Sequence, residues 1–277
     1  MQTITPLILT ADSGSTKTDW LLQQGKHSMA RRHTQGINPF MLPQKEIEDI
    51  VRRELLTDDT FRHIDEICFY GAGCRGAQCA VVEKALRAVW PCAASIIVDS
   101  DLVGAAKALY GDSDGVACIL GTGSNSCLYV KGEIRQNVSP LGYILGDEGS
   151  GAVLGRRLLG DVLKHQLPHN VCEAFEATYH LASDEIIHRV YKEPFANRFL
   201  ASFAPFLAAQ RHEPAIHALL VEEFSRFFRR NVAQYGRRDL PVSFVGSIAY
   251  HFSEELRQAA AENGFRIGKI MHAPLDE

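Results

Sequence analysis

Short apolar runs alternate with helical periodicities through the first half of the chain. PLILTAD and DWLLQ read as strands, residues 44–56 as a helix, EICFYG as a strand, residues 78–89 as a helix and SIIVDS as a strand. Such alternation predicts an α/β layer structure. At Gly115 the pattern begins again with GVACILG, a Gly-rich turn, SCLYV and a third short strand near residues 133–136. ILTADSGSTKTDWLLQ and CILGTGSNSCLYVK share one plan, an apolar strand, a turn of Gly, Ser and Thr, and a second apolar strand. The chain is thus expected to carry one phosphate-turn hairpin twice. After Asp147 amphipathic helical runs follow at 150–165, 170–180, 183–191, 195–210 and 213–235, a helical insertion in the second half. PVSFVGSIAYHF, a helix at 253–262 and the strand FRIGKIM come last. A boundary is expected within 103–114, giving domains of residues 1–105 and 106–277.

Composition narrows the function classes. The 277 residues are 46% hydrophobic and 22% charged, with a net charge of −4 and no basic tract to neutralise a row of phosphates. Nucleic acid is not an expected partner. The pairs Arg229–Arg230 and Arg237–Arg238 read as a solvated face. No apolar stretch approaches the roughly 18 residues of a membrane span, and the start of the chain lacks a leader pattern, so a cytoplasmic protein is expected. Cysteines at 68, 74, 79, 92, 118, 127 and 172 are odd in number and irregular in spacing, as free thiols in a reducing compartment are. His165 and His169 have metal-ligand spacing, but Pro168 between them favours a helix end.

A turn rich in Gly, Ser and Thr can aim several N–H groups and hydroxyls into one concavity and bind phosphate oxygens. Taken singly, DSGSTK proves little, because tight turns use these residues for conformational reasons. It also does not fit the G-x-x-x-x-G-K-[ST] pattern. Asp12 leaves the strand where a Mg²⁺ ion on the phosphates would sit, or forms an Asx turn. In IVDSD, strand alternation puts Asp99 and Asp101 on one face, while Asp101 could equally cap the following helix.

The order DSGSTKT, VDSDLVGAA, LGTGSN, GDEGSG and VGSIA resembles the superfamily of actin, heat-shock chaperones and hexokinase. More closely it is similar to the BadF/BadG/BcrA/BcrD-type ATPases and their N-acetylglucosamine kinase-like branch, over about residues 7–250. The resemblance implies two ribonuclease-H-like, actin-like ATPase domains with a helical insertion in the second. It implies ATP and Mg²⁺ as cofactors. Asp12 would serve the metal. Gly14, Ser15, Thr16 and Lys17 would form one phosphate loop, and Gly121, Thr122, Gly123, Ser124 and Asn125 the other. Gly246, Ser247 and Ile248 would hold adenosine, and Ser13 stands where the family has glycine. Asp101 in DLVGAA matches the general base, with Asp99 second, and Asn38 in GINPF and Asp147 in GDEGSG match sugar contacts.

The implied activity is phosphorylation of an amino sugar, N-acetylglucosamine at its 6-hydroxyl first, then glucosamine or N-acetylmuramic acid. SPLGYIL departs from the Gly-rich, Trp-containing segment that reads the acetamido group in the animal kinases. The competing expectation is an ATPase that activates a partner enzyme, as 2-hydroxyacyl-CoA dehydratase activators do with a cysteine-ligated cluster. The sugar-side matches favour the kinase, for which the partner is a small sugar. A homodimer is compatible with either.

Overall fold

The computed structural model describes residues 5–14 and 16–276. β1 (Leu7–Ser13), β2 (Lys17–Gln24) and β3 (His27–Gln35) form an antiparallel meander. β4 (Glu66–Gly71) joins β1 in parallel and β5 (Ser95–Ser100) joins β4, giving the order β3-β2-β1-β4-β5. The second sheet repeats this plan. β6 (Gly115–Leu120), β7 (Ser124–Val130) and β8 (Glu133–Val138) form the meander, and β9 (Val242–Val245) and β10 (Ile267–Met271) add in parallel, giving β8-β7-β6-β9-β10. In both halves three residues separate the first two strands, 14–16 and 121–123.

Helices fill the remaining connections. α1 (Gln44–Ile50), widening into a π-helical turn at Val51–Leu55, lies between β3 and β4, and α2 (Ala77–Val89) lies between β4 and β5. α3 (Asp101–Tyr110) links the repeats. Between β8 and β9 come α4 (Gly142–Leu145), α5 (Gly151–Leu163), α6 (His169–Tyr179), α7 (Ser183–Tyr191), α8 (Ala196–Ala201), α9 (Ala204–Ala209) and α10 (Pro214–Arg230). α11 (Ser247–His251) and α12 (Ser253–Glu262) connect β9 to β10. The chain divides into two compact units between Gly104 and Ala105, within α3.

Each unit has its own core. In the first, Trp20, Phe69 and Trp90 pack with ring centroids 5.9 and 6.5 Å from Trp20. Both indoles are satisfied, Trp20 Nε1 donating to Thr34 Oγ1 and Trp90 Nε1 to the Phe61 carbonyl. The core of the second unit is rich in phenylalanine. Phe227 and Phe228 of α10 pack against Phe244 of β9 and Phe224 against Phe252, and Phe175, Tyr179, Phe203 and Phe206 interlock within the insertion.

Two departures from the periodicity have local causes. β3 was not expected, because HSMARRHTQ lacks apolar alternation. It is an edge strand with Thr34 as its buried position, and pairing with β2 alone organises it. The single run expected over 195–210 is two helices, since Pro205 at the start of α9 has no N–H to continue the α8 ladder.

Candidate functional site

In the first unit, Ser13 ends β1 and Lys17 opens β2, with Gly14 N–H donating to the Lys17 carbonyl at 3.0 Å to close the turn. The turn is anchored from below. Buried Ser13 Oγ and Thr18 Oγ1 are 2.7 Å apart, Ser13 Oγ donates to the Ile37 carbonyl, and Ile37 N–H donates back to Ser13 Oγ. Gly36 N–H donates to the Thr16 carbonyl. The hydroxyl that replaces the family's glycine at 13 thus faces inward and ties the turn to the segment bearing Asn38. Ser15 lies outside the described residues. The Lys17 ammonium is 3.0 Å from Asp19, on the strand that carries it. Half-buried Asp12 is in register with Asp19 on β2 and Tyr70 on β4.

Asn38 closes a local turn. Its Oδ1 accepts from Phe40 N–H at 3.0 Å, the Asx turn that local sequence suggests. Among the described residues its carboxamide nitrogen makes no hydrogen bond. The loop after β4 comes to the same place. Ala72 N–H donates to the Ser13 carbonyl, and a Cβ on Gly73, at φ +84°, would stand 2.3 Å from Asn38 Oδ1. Only glycine fits there. That loop carries Arg75, whose charge acts on Asp101.

Asp101 is the first residue of α3, where Oδ1 accepts from Leu102 N–H at 2.9 Å. Burial raises its pKa. The N–H groups of the helix start and the Arg75 charge oppose that rise, so a half-buried carboxylate is helped to stay ionised. Asp99 accepts from Ser100 N–H at 2.7 Å. Cys74 lies close enough to both carboxylates to feel their charge, and burial first, with these charges, pushes its thiol up to about 12. It is therefore a packing residue, not a nucleophile.

In the second unit, three segments converge on the 121–123 turn. Gly121 N–H donates to the Gly123 carbonyl. The start of α5, capped by Ser150 Oγ on Val153 N–H, gives two amides to the turn, Gly151 to Gly121 and Ala152 to Thr122. Gly246, at φ +121°, is pressed against the Leu120 carbonyl, so the proposed adenosine segment 246–248 abuts the proposed phosphate turn. Asp147 is the third. It accepts from Ser124 N–H, and its Oδ2 is 3.2 Å from where a Gly123 Cβ would be. Burial raises its pKa to about 6, against the lowering effect of that hydrogen bond. Asn125 turns its carboxamide oxygen to Ser126 N–H and Asn137 Nδ2, which braces β7 against β8.

Sequence reasoning missed three supports. Gly73 and Arg75 sit in GAGCRG, where the signal was the glycine density alone. Arg230, read as a solvated surface charge, donates through Nε to buried Glu148, which also accepts from Asn231 Nδ2. This fixes the residue following Asp147 and so the loop that presents it. The signal was weak, because the partners are 82 positions apart.

The described residues contain no group of three or more His, Cys, Asp or Glu arranged to hold a metal ion. They contain no helix long and apolar enough to cross a membrane.

No profile of a known protein family matches the chain, and none of the curated proteins is similar to it in sequence. Solved structures are. A proposed N-acetylglucosamine kinase from Porphyromonas gingivalis is 48% identical, with a TM-score of 0.94 over 97% of this chain and 95% of that one. A proposed N-acetylglucosamine kinase from Chromobacterium violaceum shares the fold, at 17% identity and a TM-score of 0.77 over 98% and 97% of the two chains. A glucokinase of the ROK family from Streptomyces griseus, solved with glucose and AMPPNP, shares it at 14% identity and a TM-score of 0.61 over 97% and 95%. Near-half identity over almost the full length, together with a twice-used five-strand plan, places the chain in the N-acetylglucosamine kinase-like branch of the actin-like ATPase superfamily, as a sugar kinase.

Proposed function

We propose that the protein transfers the γ-phosphate of ATP to the 6-hydroxyl of N-acetylglucosamine in the cytoplasm. The observation that carries this reading is the 48% identity to the Porphyromonas gingivalis protein over nearly the whole of both chains. The arrangement within each unit supports it. Asp101 takes the hydroxyl proton as the sugar oxygen attacks phosphorus, and Arg75 favours its ionised form. Asn38 donates to a sugar hydroxyl through its free amide nitrogen. Gly14, Ser15, Thr16 and Lys17 and the turn from Gly121 to Asn125 bind phosphate oxygens, with Lys17 shared with Asp19. Gly246, Ser247 and Ile248 hold the adenosine. Asp147, held at the second turn, reaches a sugar hydroxyl or the metal-bound phosphates.

Mg²⁺ suits Asp12, a hard oxygen donor, with phosphate oxygens completing such a shell. When bound it neutralises charge on the phosphates. Glucosamine and N-acetylmuramic acid are the next acceptors, because the segment 139–145 diverges where the acetamido group is expected to be read.

The test is ADP release from a panel of amino sugars with ATP and Mg²⁺, beside the Asp101→Asn variant. Turnover on N-acetylglucosamine is expected, with kcat reduced by about 10²–10⁴ in the variant and nucleotide binding kept. Absence of turnover on every amino sugar would remove the reading, and full turnover by the variant would remove Asp101 as the base.

A further inference from the structure

One row of side chains crosses the whole first sheet beside the phosphate turn. Strand pairing sets His33 of β3 opposite Asp19 of β2, Asp19 opposite Asp12 of β1, Asp12 opposite Tyr70 of β4 and Tyr70 opposite Asp99 of β5. Directly paired residues share a face, so the row puts two carboxylates, Asp12 and Asp19, side by side. Like charges so placed destabilise a sheet unless cations or donors compensate them. Asp19 has two such partners. Lys17 Nζ lies 3.0 Å from its Oδ2 and 3.2 Å from its Oδ1, and His33 Nδ1 meets Oδ1 from the neighbouring strand. The Asp19 side chain is 15% exposed, against 58% for Lys17 and 68% for His33, so the carboxylate is the fixed member of the trio. Asp19 also stands two residues further from the turn than Lys17, and the ammonium is thereby drawn back along β2.

We propose that Asp19 is a resident counter-ion from which the phosphates of the nucleotide draw Lys17, and that His33 is the positioning residue that eases this exchange. The inference rests on the reading of Lys17 as a phosphate ligand. A polyphosphate carries more negative charge than one carboxylate, so an ammonium within reach of both moves to the phosphate. That move takes a cation away from Asp19 while Asp12 stays beside it, a cost that opposes binding. His33 remains behind, and the carboxylate keeps a charge-assisted hydrogen bond throughout. Without the imidazole, Lys17 alone compensates Asp19 and is held harder. Without the carboxylate, nothing holds Lys17 back and the imidazole has nothing to act on. Neighbouring residues thus affect nucleotide affinity with opposite signs, which loss of packing at either one would not produce.

The experiment is calorimetric titration of the full chain with ATP and Mg²⁺, beside steady-state ADP release. Asp19→Asn is expected to lower the Kd for ATP about threefold and His33→Ala to raise it about threefold, the scale of an exposed ion pair. The double variant is expected to match Asp19→Asn, because His33 acts only through that carboxylate. His33→Asn, whose Nδ2 takes the place of the imidazole Nδ1, is expected to keep the wild-type Kd. In all of these kcat should change by less than about twofold, so the effect appears in binding and KM. Lys17→Ala, expected to weaken ATP tenfold or more, tests the reading beneath the proposal. An unchanged Kd in Lys17→Ala removes Lys17 from the phosphates and the proposal with it. A weakened Lys17→Ala beside an Asp19→Asn that binds no tighter, or a His33→Ala effect that persists in the Asp19→Asn background, overturns the counter-ion exchange and leaves the phosphate contact standing.

Discussion

A Cβ placed on Gly246 would stand 2.2 Å from the carbonyl oxygen of Leu120 and 3.3 Å from the amide nitrogen of Gly121. Two strand ends are thereby brought together more tightly than any other residue type allows, and φ of +121° adds a second demand for glycine. Gly246→Ala is expected to cost about 2–4 kcal/mol and to weaken ATP binding at least tenfold. Calorimetric titration with ATP beside a thermal melt checks it. Unchanged affinity would mean that the segment 246–248 does not shape the nucleotide site.

Arg75 is expected to set the acid limb of the pH profile. Burial raises the pKa of Asp101 and the Arg75 charge lowers it, so removing that charge moves the pKa up. In Arg75→Gln the acid limb of kcat/KM then shifts to higher pH, the rate at neutral pH falls, and alkaline pH recovers part of it. Arg75→Lys retains the wild-type limb. An unshifted limb in Arg75→Gln would show that the guanidinium does not act through the base.

Asp147 should trade stability for its role. Its folded pKa, about 6, lies above its ordinary value of 3.8, so the stability tied to its protonated form is complete below about pH 3.8 and is lost as pH rises through 6. Asp147→Asn should therefore melt higher than the wild type at pH 7.5, with the gap closing as pH falls below about 5. Asparagine also tolerates the φ of +54° at this position. The same variant should lose turnover. A melting gap independent of pH would contradict the sign.

Gly155 is where the insertion closes on itself. A Cβ there would lie 1.8 Å from the Leu200 carbonyl, which packs α8 onto α5. Gly155→Ala is expected to lose about 3 kcal/mol and to lower Tm by about 6–12 °C. A melt within about 2 °C of wild type would show that α8 moves aside freely.

The repeated hairpin was legible because both copies spell the same physical plan, apolar strands around three small residues, and this located both turns. Asp101 and Asp147 could be singled out by comparison with a family, but their surroundings could not. In sequence Ser13 showed only as a replacement for the family's glycine, and it is the fold that shows its hydroxyl committed to Ile37 and Thr18. Arg230 looked solvated because its partner, Glu148, is remote in sequence and close in space. β3 escaped notice for a related reason, since an edge strand needs a neighbour more than it needs an apolar face. Contacts that close long loops leave little periodic trace.

Both tryptophans of the chain, Trp20 and Trp90, belong to the core of the first unit, and the second unit has none. Indole emission is therefore an optical label that nature has confined to one half of the molecule. Unfolding followed by that emission reports the first sheet alone, while far-ultraviolet dichroism is weighted toward the helices of the insertion. Superimposable curves from the two signals would mean that the halves melt as one cooperative body, and separated curves would give each half its own transition.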